Sequence, residues 1–264
     1  MRVPLARVAR RAKRVSAPFK QRPTTNSSRV HLRRQVARFG RATEPGMLVL
    51  DAGAGTSPYQ KFFKHTRYEA ADWASPWGRK DPLDYECDLV DIPVEDGRFD
   101  RILFNQTLEH LPEPARALAE LHRVLKPGGV MFCSVPLFYA EHQAPHDYYR
   151  FTRFALRRLF QEAGFEITRL FWLEGYFGTV SYQFEVMTRG LPNNIADIRQ
   201  IESGWRIVYL APLLIGTHWL AGHLGRAFSN ADVRWRYTKT GMCKNYIVLA
   251  RKPEQELVAD QQPD

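Results

Sequence analysis

The sequence predicts an α/β fold built on a mostly parallel sheet, and three observations carry that prediction. Short apolar runs alternate with stretches of helical periodicity from residue 48 to residue 172, the order that lays down strand, crossover helix and parallel strand. The first run, residues 47–51, opens into a small-residue loop, 52–57, that contains Gly53 and Gly55. A last run, 246–250, stands far behind the others, after a long stretch of different character. The runs together describe a Rossmann-like, seven-stranded sheet with helices on both faces, an insertion before the final strand and a basic N-terminal arm.

The arm comes first. Residues 1–43 hold thirteen Lys and Arg and no acid, so +13 there against +10 overall leaves −3 on the remaining chain. Such an arm seeks phosphate, whether of nucleic acid or of anionic lipid. Leu5, Val8, Ala12 and Val15, then Leu32, Val36 and Phe39, fall at helical spacing, and Pro18 and Pro23 separate the two groups. One or two basic amphipathic helices follow, with Asn26, Ser27 and Ser28 as candidate N-caps. No apolar signal core is present, which disfavours export. Mitochondrial transit peptides share the Arg-rich, acid-free composition, but a retained arm is the plainer reading. Cys87, Cys133 and Cys243 lie far apart with no CxxC spacing, which argues for a reducing cytosol and against disulfide or zinc frameworks.

In the core, residues 47–51 read as a buried strand, and Pro58 can start the helix after it. Residues 68–72 form a second strand ending in an acid, and 100–105 and 130–135 two more. Residues 115–125 have helical spacing through Leu118, Leu121 and Leu125, stopped by Lys126-Pro127-Gly128-Gly129. Thr152 can cap a helix over 153–163 that ends at Gly164, followed by a strand over 165–172. The domain plan is an arm (1–43), a core (44–174), an apolar insertion or cap (175–240), a final core strand (241–252) and a tail (253–264).

The loop at 52–57 is the centre of the functional reading. Its glycines let a ligand approach the backbone where a strand delivers the chain to the carboxyl edge of the sheet. Pro58 stands where a dinucleotide fingerprint needs its third glycine, which argues against a pyrophosphate clamp. The segments VLDAGAGTSPY, YEAAD, CDLVDIPVEDGRFDRILFNQTLEHL and ALAELHRVLKPGGVMFCSVP together resemble class I S-adenosylmethionine (SAM) methyltransferases, in the group that includes ubiquinone-biosynthesis enzymes. The resemblance covers about residues 47–172. It implies SAM as cofactor, with Asp51, Gly53, Ala54 and Gly55 at its methionine end, where the Asp51 carboxylate would face ammonium and sulfonium charge. It also implies Asp72 and Trp73 at the ribose, Asp88 and Leu89 at the adenine, and Asn105 at the floor of the site. A vicinal diol suits an acceptor carboxylate at 72. Replacing Gly53 by Arg is expected to fill the methionine slot and abolish binding.

After the fifth strand, residues 136–152 lie at the edge where acceptors bind. His142, His146 and Asp147 are candidates for base or orienting group, and Tyr148, Tyr149 and Arg150 for stacking and hydrogen bonding to substrate. This stretch resembles bacterial methyltransferases associated with cell-surface polysaccharide or glycolipid. A packed lid whose histidines are merely hydrogen-bonded is the alternative. Gln106-x-x-Glu109-His110 resembles the Glu-x-x-Glu-His metal site of some O-methyltransferases, but Gln106 replaces the first carboxylate, so no metal is expected. Residues 207–225 carry no Lys, Arg, Asp or Glu over a length near a membrane span. A single crossing would strand 246–250 from the sheet, so the segment reads as an apolar cap over the acceptor pocket, dipping into a membrane surface, or as buried helices. The expected protein is a cytoplasmic, membrane-peripheral SAM-dependent O-methyltransferase acting on a saccharide, glycolipid or other small hydroxyl acceptor. An RNA methyltransferase using the arm, a quinone or small-molecule O-methyltransferase, and a non-catalytic SAM-binding protein are the rival readings. The sequence does not indicate an oligomeric state.

Overall fold

The computed structural model describes residues 26–73, 82–201 and 204–254. The first amphipathic stretch of the arm, the end of the 253–264 tail and most of the 73–84 loop lie outside the described residues.

Seven strands form one sheet: β1 (Leu48–Ala52), β2 (Arg67–Asp72), β3 (Tyr85–Glu86), β4 (Phe99–Asn105), β5 (Leu125–Pro136), β6 (Glu166–Trp172) and β7 (Asn245–Arg251). Their spatial order is β3-β2-β1-β4-β5-β7-β6. The first five pair in parallel, and β7 runs antiparallel between β5 and β6. The sheet is therefore mixed and mostly parallel, as the alternation of elements predicts.

Alternate residues of each strand feed opposite faces. Leu48, Leu50 and Ala52 of β1 join the core under α2 (Pro114–Val124) and α3 (Arg153–Glu162), which contribute Leu118, Leu121, Leu156 and Phe160. Val49, with Leu103, Phe132 and Ile247 from neighbouring strands, faces the other way into Leu32, Val36 and Phe39 of α1 (Ser27–Arg41). The second half of the arm is thus a core helix, not a free basic segment: its apolar stripe is buried and only its Arg face is left to solvent. Asn26 caps it by accepting from the Arg29 amide at 3.1 Å.

The helix expected after Pro58 is reduced to one 3₁₀ turn, Gln60–Phe62. Helix α1 occupies the adjoining sheet face. Gly40 of α1 approaches so closely that a Cβ there would sit 2.6 Å from the Phe62 carbonyl oxygen, and Phe39 packs edge-on against Phe63 at 6.2 Å. At the expected breaker the chain passes from α2 into β5 at once, with Gly128 at φ +75°. Thr152 caps α3, accepting from the Ala155 amide at 3.2 Å, and Gly164 beyond its end adopts φ +89°.

The segment between β6 and β7 is helical: α4 (Tyr176–Gly190), α5 (Ile195–Ile201) and α6 (Ile207–Trp235). Helix α6 lies along α4, where Ser181 Oγ donates to the Gly225 carbonyl at 2.8 Å and Phe184 stacks on Phe228. Buried Asp232 ties the pair to the core by accepting from the Gly175 amide at 2.9 Å and from His31 Nε2 of α1 at 3.1 Å. Buried Glu174 accepts from the backbone amide of Asn245 at 2.6 Å, so the first residue of β7 is pinned to the end of β6.

Candidate active site

The carboxyl ends of the parallel strands open into a cavity of about 680 Å³. It is lined by the strand-end residues Gly53, Gly55, Asp72, Trp73, Cys87, Asp88 and Leu89, together with Gln106, Thr107 and His110 from the loop after β4 and Gln143, His146 and Tyr148 from the segment after β5. Its volume falls within the range of roughly 300–1,000 Å³ usual for small-molecule and cofactor sites.

Backbone geometry explains the glycine loop. Gly53 and Gly55 take φ +70° and +51°, the left-handed region that side chains rarely adopt. A Cβ at Gly55 would meet nothing within 4 Å, so this residue leaves open space at the wall. Asp72 braces the loop: Oδ2 accepts from the Gly55 amide at 2.7 Å and Oδ1 from the Trp73 amide at 2.9 Å.

Of the cofactor residues expected from the sequence, Gly53, Gly55, Asp72, Trp73, Asp88 and Leu89 line this cavity; Asp51, Ala54 and Asn105 do not. Strand alternation turns Asp51 and Asn105 toward the α1 face. There Asp51 accepts from the Tyr68 hydroxyl, and Asn105 accepts from Ser134 Oγ and bonds the Tyr59 side chain. The three acids at 51, 72 and 88 therefore do not share one wall. Cys87, Gln106, Thr107, Leu111, Pro112 and Gln143 line the cavity without having been singled out for it. Gln106 carries one local sign of its role, a φ of +53° just past the end of β4.

The segment 138–150 folds back over the cavity. The amides of Tyr148 and Tyr149 both donate to the Glu109 carbonyl, at 2.9 and 3.2 Å. Arg150 donates through Nη1 and Nη2 to the two oxygens of Asp147 at 2.7 Å each, and this guanidinium holds the carboxyl well below the usual carboxylate range. Asp147 Oδ2 in turn accepts from the His142 amide at 2.8 Å. Among the expected catalytic residues, then, Asp147 and His142 brace the lid, and His146 alone lines the cavity, edge-on to Trp73 at 4.8 Å. Among the expected substrate residues, Tyr148 lines it, while Arg150 and Tyr149 are turned to the lid backbone and to the Pro112 carbonyl. Among the described residues, none of 175–240 is in the lining. The expected cap does not cover this cavity; it supports the lid from behind, where Tyr182 stacks on Tyr139 at 4.9 Å and its hydroxyl accepts from the Ala140 amide.

Beneath the lid, burial pushes the Glu109 carboxyl up to about 8 and lowers the His110 imidazole.

A glycine-braced loop at the end of the first parallel strand, two carboxylates beside it, and an antiparallel last strand define the class I methyltransferase architecture. The chain belongs to the methyltransferase-domain family, whose model matches residues 26–170. It carries a methyltransferase domain. The demethylmenaquinone methyltransferase of Staphylococcus carnosus is 32% identical over 82 residues, and that of Staphylococcus epidermidis 39% over 57. These alignments take in 29% and 19% of this chain and 33% and 24% of the two relatives, so the chain spans about a third or less of their length. Among solved structures, the cyclase SpnF superposes with a TM-score of 0.53 at 21% identity, over 90% of this chain and 85% of that one. A Haemonchus contortus phosphoethanolamine N-methyltransferase solved with S-adenosyl-L-methionine gives 0.50 at 13% identity, over 84% and 52%. Likeness at this level concerns the fold alone.

The residues present fit SAM: an open glycine wall at Gly55, carboxylates at Asp72 and Asp88 for hydroxyl and amino donors, and Leu89 as an apolar surface for a purine.

Proposed function

We propose that the protein transfers the methyl group of SAM to a hydroxyl of a saccharide or lipid-linked acceptor while lying against an anionic membrane surface. The observation that carries the reading is a single cavity lined both by the glycine loop with Asp72 and Asp88 and by a histidine- and tyrosine-bearing lid.

When bound, SAM supplies an electrophilic methyl carbon. The chain's part is positioning, exclusion of water and proton removal. Gly53, Gly55, Asp72, Trp73, Asp88 and Leu89 would hold the nucleoside portion. Asp51 and Asn105 would act by shaping the end of the sheet through Tyr68 and Ser134. On the lid, Tyr148 and His146 line the cavity and would mark its acceptor end, where they would bind and orient the hydroxyl. His146 Nδ1 lies 3.2 Å from the Tyr148 hydroxyl; in the tautomer in which Nδ1 donates to that oxygen, Nε2 would take the acceptor proton.

The outer face of α6 supports the membrane placement. Val208, Tyr209, Leu213, Trp219 and Leu220 are exposed along it, with Trp205 exposed just before its start, and such an apolar stripe marks an interaction surface. Helix α6 is long and apolar enough to cross a bilayer by length and composition. Its opposite side is docked on α4, however, and β7 returns the chain to the sheet, so an in-plane pose accords with the fold. The basic arm supplies charge complementary to anionic lipid.

The test is incubation of the purified protein with methyl-labelled SAM and separate cell-envelope, quinone and RNA fractions. Label in glycan or glycolipid is expected. Label confined to quinone or RNA would replace the acceptor, and SAM binding without transfer to any fraction would make this a binding protein. Sedimentation with anionic vesicles, absent with neutral ones, tests the membrane placement.

A further inference from the structure

We propose that Glu109, His110 and His142 bind one divalent transition-metal ion of the zinc class beside the acceptor end of the cavity. One ligand atom from each of the three lies within 4.8 Å of the others. Tetrahedral bonds of about 2.0–2.2 Å place ligand atoms about 3.4 Å apart. Closing the set around an ion therefore takes a shift of up to about 1.4 Å, within the reach of side-chain rotation.

The buried polar atoms point to the same conclusion. Glu109 is fully buried, and neither carboxylate oxygen has a hydrogen-bond partner among the described residues. His110 Nε2 is likewise buried without a partner, 3.8 Å from Glu109 Oε1. A buried carboxylate and a buried imidazole nitrogen left unsatisfied side by side are costly, and a cation between them satisfies both.

The hydrogen bonds around the cluster set the tautomers that ligation needs. His110 Nδ1 is 2.6 Å from the His146 carbonyl, so it carries the proton and Nε2 presents a lone pair. His142 Nδ1 lies 3.2 Å from the Ala140 carbonyl and 3.3 Å from Asp147 Oδ2. Arg150 Nη2 is also near, at 3.4 Å, but it is committed to Asp147 and to the Ala140 carbonyl. Two acceptors therefore face this nitrogen, and Nε2 of His142 is left to ligate. Asp147, also 3.9 Å from His110 Nδ1, then acts as the outer carboxylate that orients metal-binding imidazoles.

Gln106, whose amide argued against a metal, donates instead to Ser134 Oγ at 3.1 Å. The third ligand comes from the lid, 32 residues beyond His110, where local spacing could not show it. Two imidazoles and one carboxylate suit zinc or cobalt better than the oxygen-seeking magnesium or calcium. Three protein ligands leave a position open for water or an acceptor oxygen.

The experiment uses the full chain, stripped with chelator and titrated with Zn²⁺ by calorimetry and with Co²⁺ by visible absorption. One ion per chain is expected, with a tetrahedral Co²⁺ spectrum. Glu109→Gln, nearly isosteric, and His142→Ala, on the lid, should each weaken affinity by about tenfold or more. Folding of both variants is checked by circular dichroism and melting. No binding by the wild type, or wild-type affinity in both folded variants, overturns the proposal. The readout needs neither SAM nor acceptor, so it fails or stands separately from the methyl-transfer reading.

Discussion

The side chain of Thr107 fills the space that a Cβ on Gly53 would require: that atom would lie 2.3 Å from both Cγ2 and Oγ1 of Thr107. Gly53 also sits at φ +70°. Its need for glycine is thus internal to the fold, and the expectation that Arg would block the methionine slot gives way to a clash with the loop after β4. Gly53→Ala is expected to cost about 2–4 kcal/mol of stability, from left-handed backbone and overpacking together. Adding Thr107→Ala should return part of the loss. Urea unfolding of the two single variants and the double variant checks this; strict additivity would contradict it.

His146 is the lid imidazole at the cavity wall, where His110 also stands, and it is the proposed proton acceptor. His146→Gln should lower turnover by about 10²- to 10⁴-fold while SAM affinity stays within a factor of about three. A fall in SAM affinity with turnover at saturation unchanged would assign the residue to binding instead.

Cys87 also lines the cavity, while Cys133 and Cys243 are buried, so thiol labelling reports on Cys87. Burial first, then the charges of Asp88, Asp72, Asp91 and Glu120, push its thiol up to about 11. A raised value keeps the group neutral at pH 8, and thiolate accumulates only as pH rises toward 11. The iodoacetamide rate should therefore be slow at pH 8, climb about tenfold per pH unit above it, and fall when SAM is present. A rate already level by pH 9 would refute the assignment.

Asp100 governs part of the acid limb. Burial alone would raise its pKa, but the Lys126 ammonium at 2.7 Å and the Leu48 amide at 2.8 Å outweigh burial and lower it. A carboxyl lowered in the folded state stabilises above its unfolded pKa of about 3.9, and that stability is lost as pH falls through the lower folded value. Asp100→Asn should reduce stability at pH 7 and flatten the decline below about pH 4. Parallel stability curves for variant and wild type would show that the pair contributes nothing.

Asp232 fastens the helical insertion to both α1 and the start of α4. Asp232→Ala leaves the buried Gly175 amide without its partner and should lower stability by about 2–4 kcal/mol, with Asn restoring part. Equal urea midpoints for Ala and wild type would contradict it.

Much of the fold could be read from the sequence because local signals and global packing agree. The β1 run, the glycine loop and the leucine spacing of α2 each point to the element that forms. What escaped notice depended on distant partners. The Arg-rich composition of 27–41 hides a stripe, Leu32-Val36-Phe39, whose burial depends on strands that come later. That same helix takes the ground on which a helix after Pro58 would have rested. At the site, the glycines and Asp72 could be read from local sequence. The orientation of Asp51 could not, because parity along β1 is set by which face α1 covers. Nor could the meeting of Glu109 with His142, which requires the lid to fold back.

The final strand lies in the interior of the sheet, hydrogen-bonded to β5 on one side and β6 on the other. During synthesis those two neighbours emerge long before it and stand apart with open edges, inviting wrong pairing or clumping. Completion is deferred until the three insertion helices have been made, so this topology favours slow, late consolidation and a nascent chain that benefits from protection.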